Sequence, residues 1–152
     1  GRCDMLGEKE RHAMSFDPYI HFSGNCRAAM TAYQAIFGGK LQMSPYGDAP
    51  DAGPEAKASH LIMHAALTVG DRMLLASDFP PGMPPQPQAA VTISHIAGSV
   101  DEGLRLFDLL VAGGTPIMAF QSTFWSDGFG MLKDRFGTHW MISAPWRQPE
   151  AG

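Results

Sequence analysis

Residues 60–79 read HLIMHAALTVGDRMLLASDF, and this stretch decides how the rest of the chain is read. Leu61, Met63, Ala65, Leu67 and Val69 fall on one side of an extended backbone, and His60, Ile62, His64, Ala66 and Thr68 on the other. That two-residue period marks a strand with one apolar face. Gly70-Asp71 suits a tight hairpin turn, so residues 72–79 return as the neighbouring strand. Working back towards the N-terminus, residues 45–57 are rich in Pro, Gly, Asp and Ala and read as a loop. A strand carrying Leu41 and Met43 precedes it. Before that strand, Ala29, Ala32, Tyr33, Ile36 and Phe37 follow Asn25 at helical spacing. Asn25 is the expected N-cap, since its side-chain oxygen can accept from a free helix N–H. Gly38-Gly39 ends the helix, and DPYIHF at 17–22 supplies a first strand.

The same order then recurs. After PPGMPPQPQ (80–88), too proline-rich for a helix or a central strand, comes a strand at 91–95. Ser99 followed by Glu102 forms a capping box, and Val100, Leu104, Phe107, Leu110 and Val111 give an apolar stripe. Gly113-Gly114 closes this helix as Gly38-Gly39 closes the first. Strands are expected at 115–121, 129–136 and 139–145, with Gly137-Thr138 in the turn role of Gly70-Asp71. Two very small independent domains would bury too little surface, so two copies of one βαβββ unit sharing a core is the better solution. The fold class is therefore α+β. Residues 14–79 form the first module, 80–89 the connector and 90–146 the second module. Residues 1–13 read as a tail or vector remnant, and 147–152 as a C-terminal tail.

Composition narrows the function classes. Hydrophobic residues make up 45% of 152, enough for a packed core. The net charge of -4 and the absence of Lys/Arg runs give no basis for binding nucleic acid or an anionic membrane. No apolar stretch reaches the ~20 residues that cross a bilayer. Cys3 and Cys26 do not make a disulfide framework and read as reduced thiols of a cytoplasmic protein. Cys26 reads as a packing thiol rather than a reactive one.

PYIHFSGN, MLLASDFPPGM and above all FWSDGFGMLKDRFGTHWMIS resemble the PhnB-like branch of the vicinal oxygen chelate superfamily, the group of glyoxalase I, bleomycin-resistance proteins and extradiol dioxygenases. Trp125, Gly128, Phe129, Gly130, Asp134, Gly137 and Trp140 carry the likeness in the last of these. The resemblance implies two βαβββ modules forming an incomplete barrel around a pocket, usually in a homodimer. It also implies that active members hold a divalent metal through the first and last strands of each module.

The residues at those strands do not supply a convincing metal quartet. Strand one offers His21, and the last strand has Ser143 where a Glu would be expected. The expectation is therefore a pocket for a small organic ligand with no cofactor and no obligatory metal. It would be lined by His21, His64, Asp78, Trp125, Phe129 and Trp140. His64 should point into the hollow, because the opposite face of its strand is apolar. Asp78 suits either a turn or cap role or a polar contact at the pocket mouth. Asp134 should hold the following turn, and His139 should be a solvated turn residue. A divalent metal remains possible in an alternative reading, an unorthodox lyase, isomerase or dioxygenase drawing on His21, His64, His95 or Asp78. A structural dimer with a vestigial pocket is a third. The methyltransferase name attached to some members of this branch finds no support, since no G-x-G-x-x-G nucleotide turn is present.

Overall fold

The structure is a computed structural model and describes residues 14–148. Cys3 and the reading of 1–13 as a vector remnant lie outside the described residues, as does most of the expected C-terminal tail.

The chain runs β1 (Tyr19–Phe22), α1 (Cys26–Phe37), β2 (Lys40–Pro45), α2 (Pro54–Ala58), β3 (Ile62–Val69) and β4 (Arg72–Asp78). The second half follows as β5 (Ile93–Ile96), α3 (Val100–Val111), β6 (Thr115–Gln121), β7 (Phe129–Lys133) and β8 (His139–Ser143). The strands form two four-stranded sheets, ordered β1-β4-β3-β2 and β5-β8-β7-β6. In each the first strand runs parallel to the last while the other pairs are antiparallel. The doubling read from the sequence is therefore present strand for strand, and neither sheet closes into a barrel.

The paired glycines show why the repeat is legible. A Cβ on Gly39 would strike the carbonyl of Thr68 in β3, and a Cβ on Gly114 would strike the carbonyl of Lys133 in β7. Each helix thus ends where the chain must pass against the next hairpin, and only a residue without a side chain fits.

One core joins the two halves. α1 buries Cys26, Ala29, Met30 and Tyr33, and α3 buries Gly103, Leu106, Phe107 and Leu110. Tyr33 reaches across to the second module. Its hydroxyl donates to Asp134 Oδ2 at 2.5 Å and contacts Thr138 Oγ1 at 3.0 Å, and its ring lies edge-on to Trp140. Asp134 holds its turn as expected, accepting from the backbone N–H of Phe136 and Thr138. It also accepts from Trp140 Nε1 at 2.9 Å, so one buried carboxylate ties the hairpin to the helix of the other module.

Four local expectations change. First, β3 does not alternate cleanly. Ser44 faces His64 but Pro45 faces Ile62, so Met63 is the extra residue of a bulge. Ile62 joins Ala65 and Leu67 in the core while Met63 is 37% exposed. Second, Asn25 makes no side-chain cap bond. Asp78 does that work from β4, accepting from Gly24 N and Cys26 N through Oδ1. Third, residues 54–58 of the expected loop form α2, with Pro54 starting it and Glu55 and Lys57 at the dipole-favoured ends. Fourth, Ser99 caps α3 as predicted, but Glu102 pairs with Arg105.

Candidate functional site

The bulge and the parallel β1–β4 pairing decide which side chains share the open face of the first sheet. Ile20, Phe22, Ala76 and Asp78 turn towards α1 and are buried. Their neighbours Tyr19, His21 and Ser77 therefore point the other way. His21 stands in register with Ser77 on β4. His64 lies one residue beyond the Ala65–Ala76 pair, on the far side of Ser77. The three form a row across β1, β4 and β3. Ser77 Oγ lies 3.3 Å from His21 Nδ1. Tyr19 sits beside the row, with its hydroxyl 3.3 Å from His64 Nδ1 and its ring centroid 5.1 Å from that of His21. Phe79 flanks His21 on the other side at 5.6 Å.

His21 and His64 thus stand in one row across the sheet, and His64 faces away from α1. Tyr19 and Phe79 were not singled out from the sequence. The alternation of 17–22 could have nominated Tyr19, because it shares a strand face with His21.

Asp78 and Trp140 belong elsewhere. Asp78 is 1% exposed, and its second oxygen accepts from Ile62 N at the bulge, at 2.8 Å. With Gly24 and Cys26 on the first oxygen, its carboxylate is spent on three backbone N–H groups. It fills the cap role, not a place at a pocket mouth. Trp140 is buried on the helix side, packed on Tyr33 and Phe37. His95 faces the same interior, 5.0 Å from the Phe37 ring, and burial holds its pKa below the usual histidine value against the pull of Glu102. Neither Asp78 nor His95 can share a metal with His21 and His64, because a sheet separates them. His139 is half-buried rather than solvated, and its Nδ1 has no hydrogen-bond partner among the described residues.

The second sheet repeats the arrangement with different chemistry. Ile96 pairs with Ser143 as His21 pairs with Ser77, and Phe129 faces Ser143 from β7. The row His21–Ser77–His64 thus has Ile96–Ser143–Phe129 as its counterpart. Trp125 packs edge-on against Phe129 at 5.2 Å. Beside them Met118, Met131 and Met141 stand in direct register across three strands. Cys26 is not a candidate nucleophile. Burial, with Asp78 nearby, pushes its pKa up to about 12, so the thiolate is scarce at neutral pH. Tyr46 is likewise raised by burial, and its hydroxyl donates to the Asp78 carbonyl.

Residues 15–142 match the sequence profile of the glyoxalase/bleomycin resistance protein/dioxygenase superfamily. The chain belongs to that superfamily. It is 32% identical to protein YjdN of Escherichia coli strain K12, over 90% of this chain and 99% of YjdN. Among solved structures it is similar to protein PA1353 of Pseudomonas aeruginosa, with 40% identity and a TM-score of 0.81, covering 87% of this chain and 98% of that one. A PhnB protein from Bacillus cereus shares the fold at a TM-score of 0.63 and 20% identity, covering 87% of this chain and all of that one.

Membership of the glyoxalase superfamily raises the question of the metal that its active members hold. At the matched open-face pairs of the first and last strands stand His21 and Ser77 in one module and Ile96 and Ser143 in the other. One imidazole, two neutral hydroxyls and an isoleucine do not fit a divalent ion, which needs imidazole, thiolate or carboxylate donors. Among the described residues no three His, Cys, Asp or Glu side chains converge.

Proposed function

We propose that this glyoxalase-superfamily chain is a small-molecule-binding protein that works without an obligatory metal. Its ligand docks on the open sheet faces. Tyr19, His21, His64 and Ser77 supply hydrogen-bonding groups, and Phe129 with Trp125 supplies an apolar wall. The observation that carries this reading is the contrast between equivalent rows, His21–Ser77–His64 in one module and Ile96–Ser143–Phe129 in the other. A surface with a polar half and an apolar half suits an organic molecule with both characters. That neither Ile96 nor Ser143 brings an imidazole or carboxylate to its position supports the metal-free part of this reading.

The working form in this reading is a cytoplasmic homodimer. Its support is the apolar surface that the second module leaves bare. Phe124 is 87% exposed and Trp146 58%, and Ile117 and Met118 sit uncovered on the edge strand β6. Among the described residues no helix is long and apolar enough to cross a membrane.

Native mass spectrometry of the purified protein tests the reading. The expected result is a dimer carrying an organic adduct, with the adduct lost from the His21→Ala/His64→Ala variant. An adduct retained undiminished by that variant would overturn the assignment of the site.

A further inference from the structure

We infer that the hollow between the end of β1, the proline-rich connector and the β7–β8 turn is a binding site for a small oxyanion, a phosphate or carboxylate group. The hollow adjoins the open face of the first sheet and shares His21 with it, but its other polar groups lie outside that face's row of His21, Ser77 and His64, so the inference stands whether or not that face takes a ligand.

The hollow measures about 200 Å3. Six polar side chains border it: His21, Ser23, Asn25, Gln86, Gln88 and Lys133. They come from three different parts of the chain, so the arrangement exists only in the folded protein. No carboxylate is among the described residues that line it. Asp134, next to Lys133 in the chain, and Asp78, bonded to the amides on either side of Asn25, are both turned inward. Asp78 is held by Gly24, Cys26 and Ile62, and Asp134 by Tyr33, Trp140 and the turn amides.

The polar groups that remain are ones that can donate. Lys133 enters no ion pair among the described residues. Asn25 makes no cap bond, which leaves its amide free. Among the described residues only His21 has a side-chain partner, Ser77, and that contact uses Nδ1. An ammonium, an imidazole and three side-chain amides around an acid-free concavity match an oxyanion, whose oxygens only accept. The chain as a whole carries a net charge of -4, so attraction to an anion here comes from this local arrangement and not from the overall field.

This site accounts for the connector, which sequence reading treated only as a spacer. Its prolines hold Gln86 and Gln88 in an extended path over β1 without a helix or ladder to fix them.

The test is titration of the full chain with inorganic phosphate and, separately, with malonate, in low-chloride buffer, followed by amide and side-chain NMR. The expected shifts concentrate at Asn25, Gln86, Gln88, Lys133 and Gly137. Binding should weaken roughly tenfold in Lys133→Gln, be weakened again by Gln86→Leu, and fall as chloride is raised. Lys40→Gln, a charge change on β2, should bind as wild type. A response to phosphate alone assigns a phosphate group, and a response to malonate alone assigns a carboxylate. Shifts scattered over the surface, Lys133→Gln binding as tightly as wild type, or no saturable response to either anion would each overturn the inference. Loss of an organic adduct in His64→Ala with phosphate titration intact in that same variant would show the two sites to be distinct, since His64 does not border the hollow.

Discussion

Tyr33→Phe removes one oxygen and nothing else, and it tests whether the two modules are held together by the buried Asp134 carboxylate. The hydroxyl donates to Asp134 Oδ2 at 2.5 Å in a site where Tyr33 is 1% and Asp134 5% exposed. A hydrogen bond to a charged acceptor contributes about 1.5–3 kcal/mol. The Phe ring keeps the edge contacts with Phe136 and Trp140, so little packing is lost. Asp134 keeps three of its donors, Trp140 Nε1 and the Phe136 and Thr138 amides. The expected cost is therefore about 2 kcal/mol, or a fall in Tm of roughly 4–8 °C for a chain of this size. Asp134→Ala should cost more, about 4 kcal/mol or above, because it takes the acceptor from the buried Trp140 and Thr138 N–H groups as well as from the Phe136 amide and the Tyr33 hydroxyl. The assay is urea unfolding followed by both tryptophan fluorescence and far-UV circular dichroism. The double variant should lose less than the two single losses combined, since both remove the same bond. A Tyr33→Phe loss under about 0.5 kcal/mol, or strict additivity in the cycle, would refute the reasoning.

Three further outcomes follow from the same geometry. Ser99→Ala should cost about 1 kcal/mol while Asn25→Ala costs only a few tenths, because Ser99 caps its helix and Asn25 does not; urea midpoints compare them directly, and equal losses would contradict the role given to Asp78. His95 has its pKa lowered by burial in the folded state, so its contribution to stability is complete above the ordinary histidine value and is lost as pH falls below that value through the lowered one. His95→Phe should accordingly flatten the fall of the urea midpoint between pH 7.5 and 5, and an unchanged slope would show that other groups carry it. Cys26 should resist a thiol reagent at pH 8 in the folded protein and react at once in urea, given a pKa pushed up to about 12 by burial.

The fold was legible because its signals are local. Caps, double glycines and hairpin turns act within a few residues, and their recurrence revealed the duplication. Placement of side chains was less so, for reasons that lie in other strands. The bulge at Met63 exists only through pairing with Ser44 and Pro45, and it shifted which residues of β3 reach the core. Asp78 caps a helix more than fifty positions earlier in the chain. Trp140 reads from sequence as one of a group of aromatics with Trp125 and Phe129, but strand parity sends it inward to Tyr33. His21 and His64 are readable from sequence and Tyr19 follows from strand parity, but the contact of Tyr19 with His64 emerges only when β1, β4 and β3 lie side by side.

The most direct check is elemental analysis of the protein purified without added metal, reading zinc, nickel, manganese and iron per chain. With Ile96 and Ser143 standing at half of the positions that would have to donate, the content should be far below stoichiometric for all four. One ion per chain that disappears in His64→Ala would contradict the account and turn the open face into a metal centre.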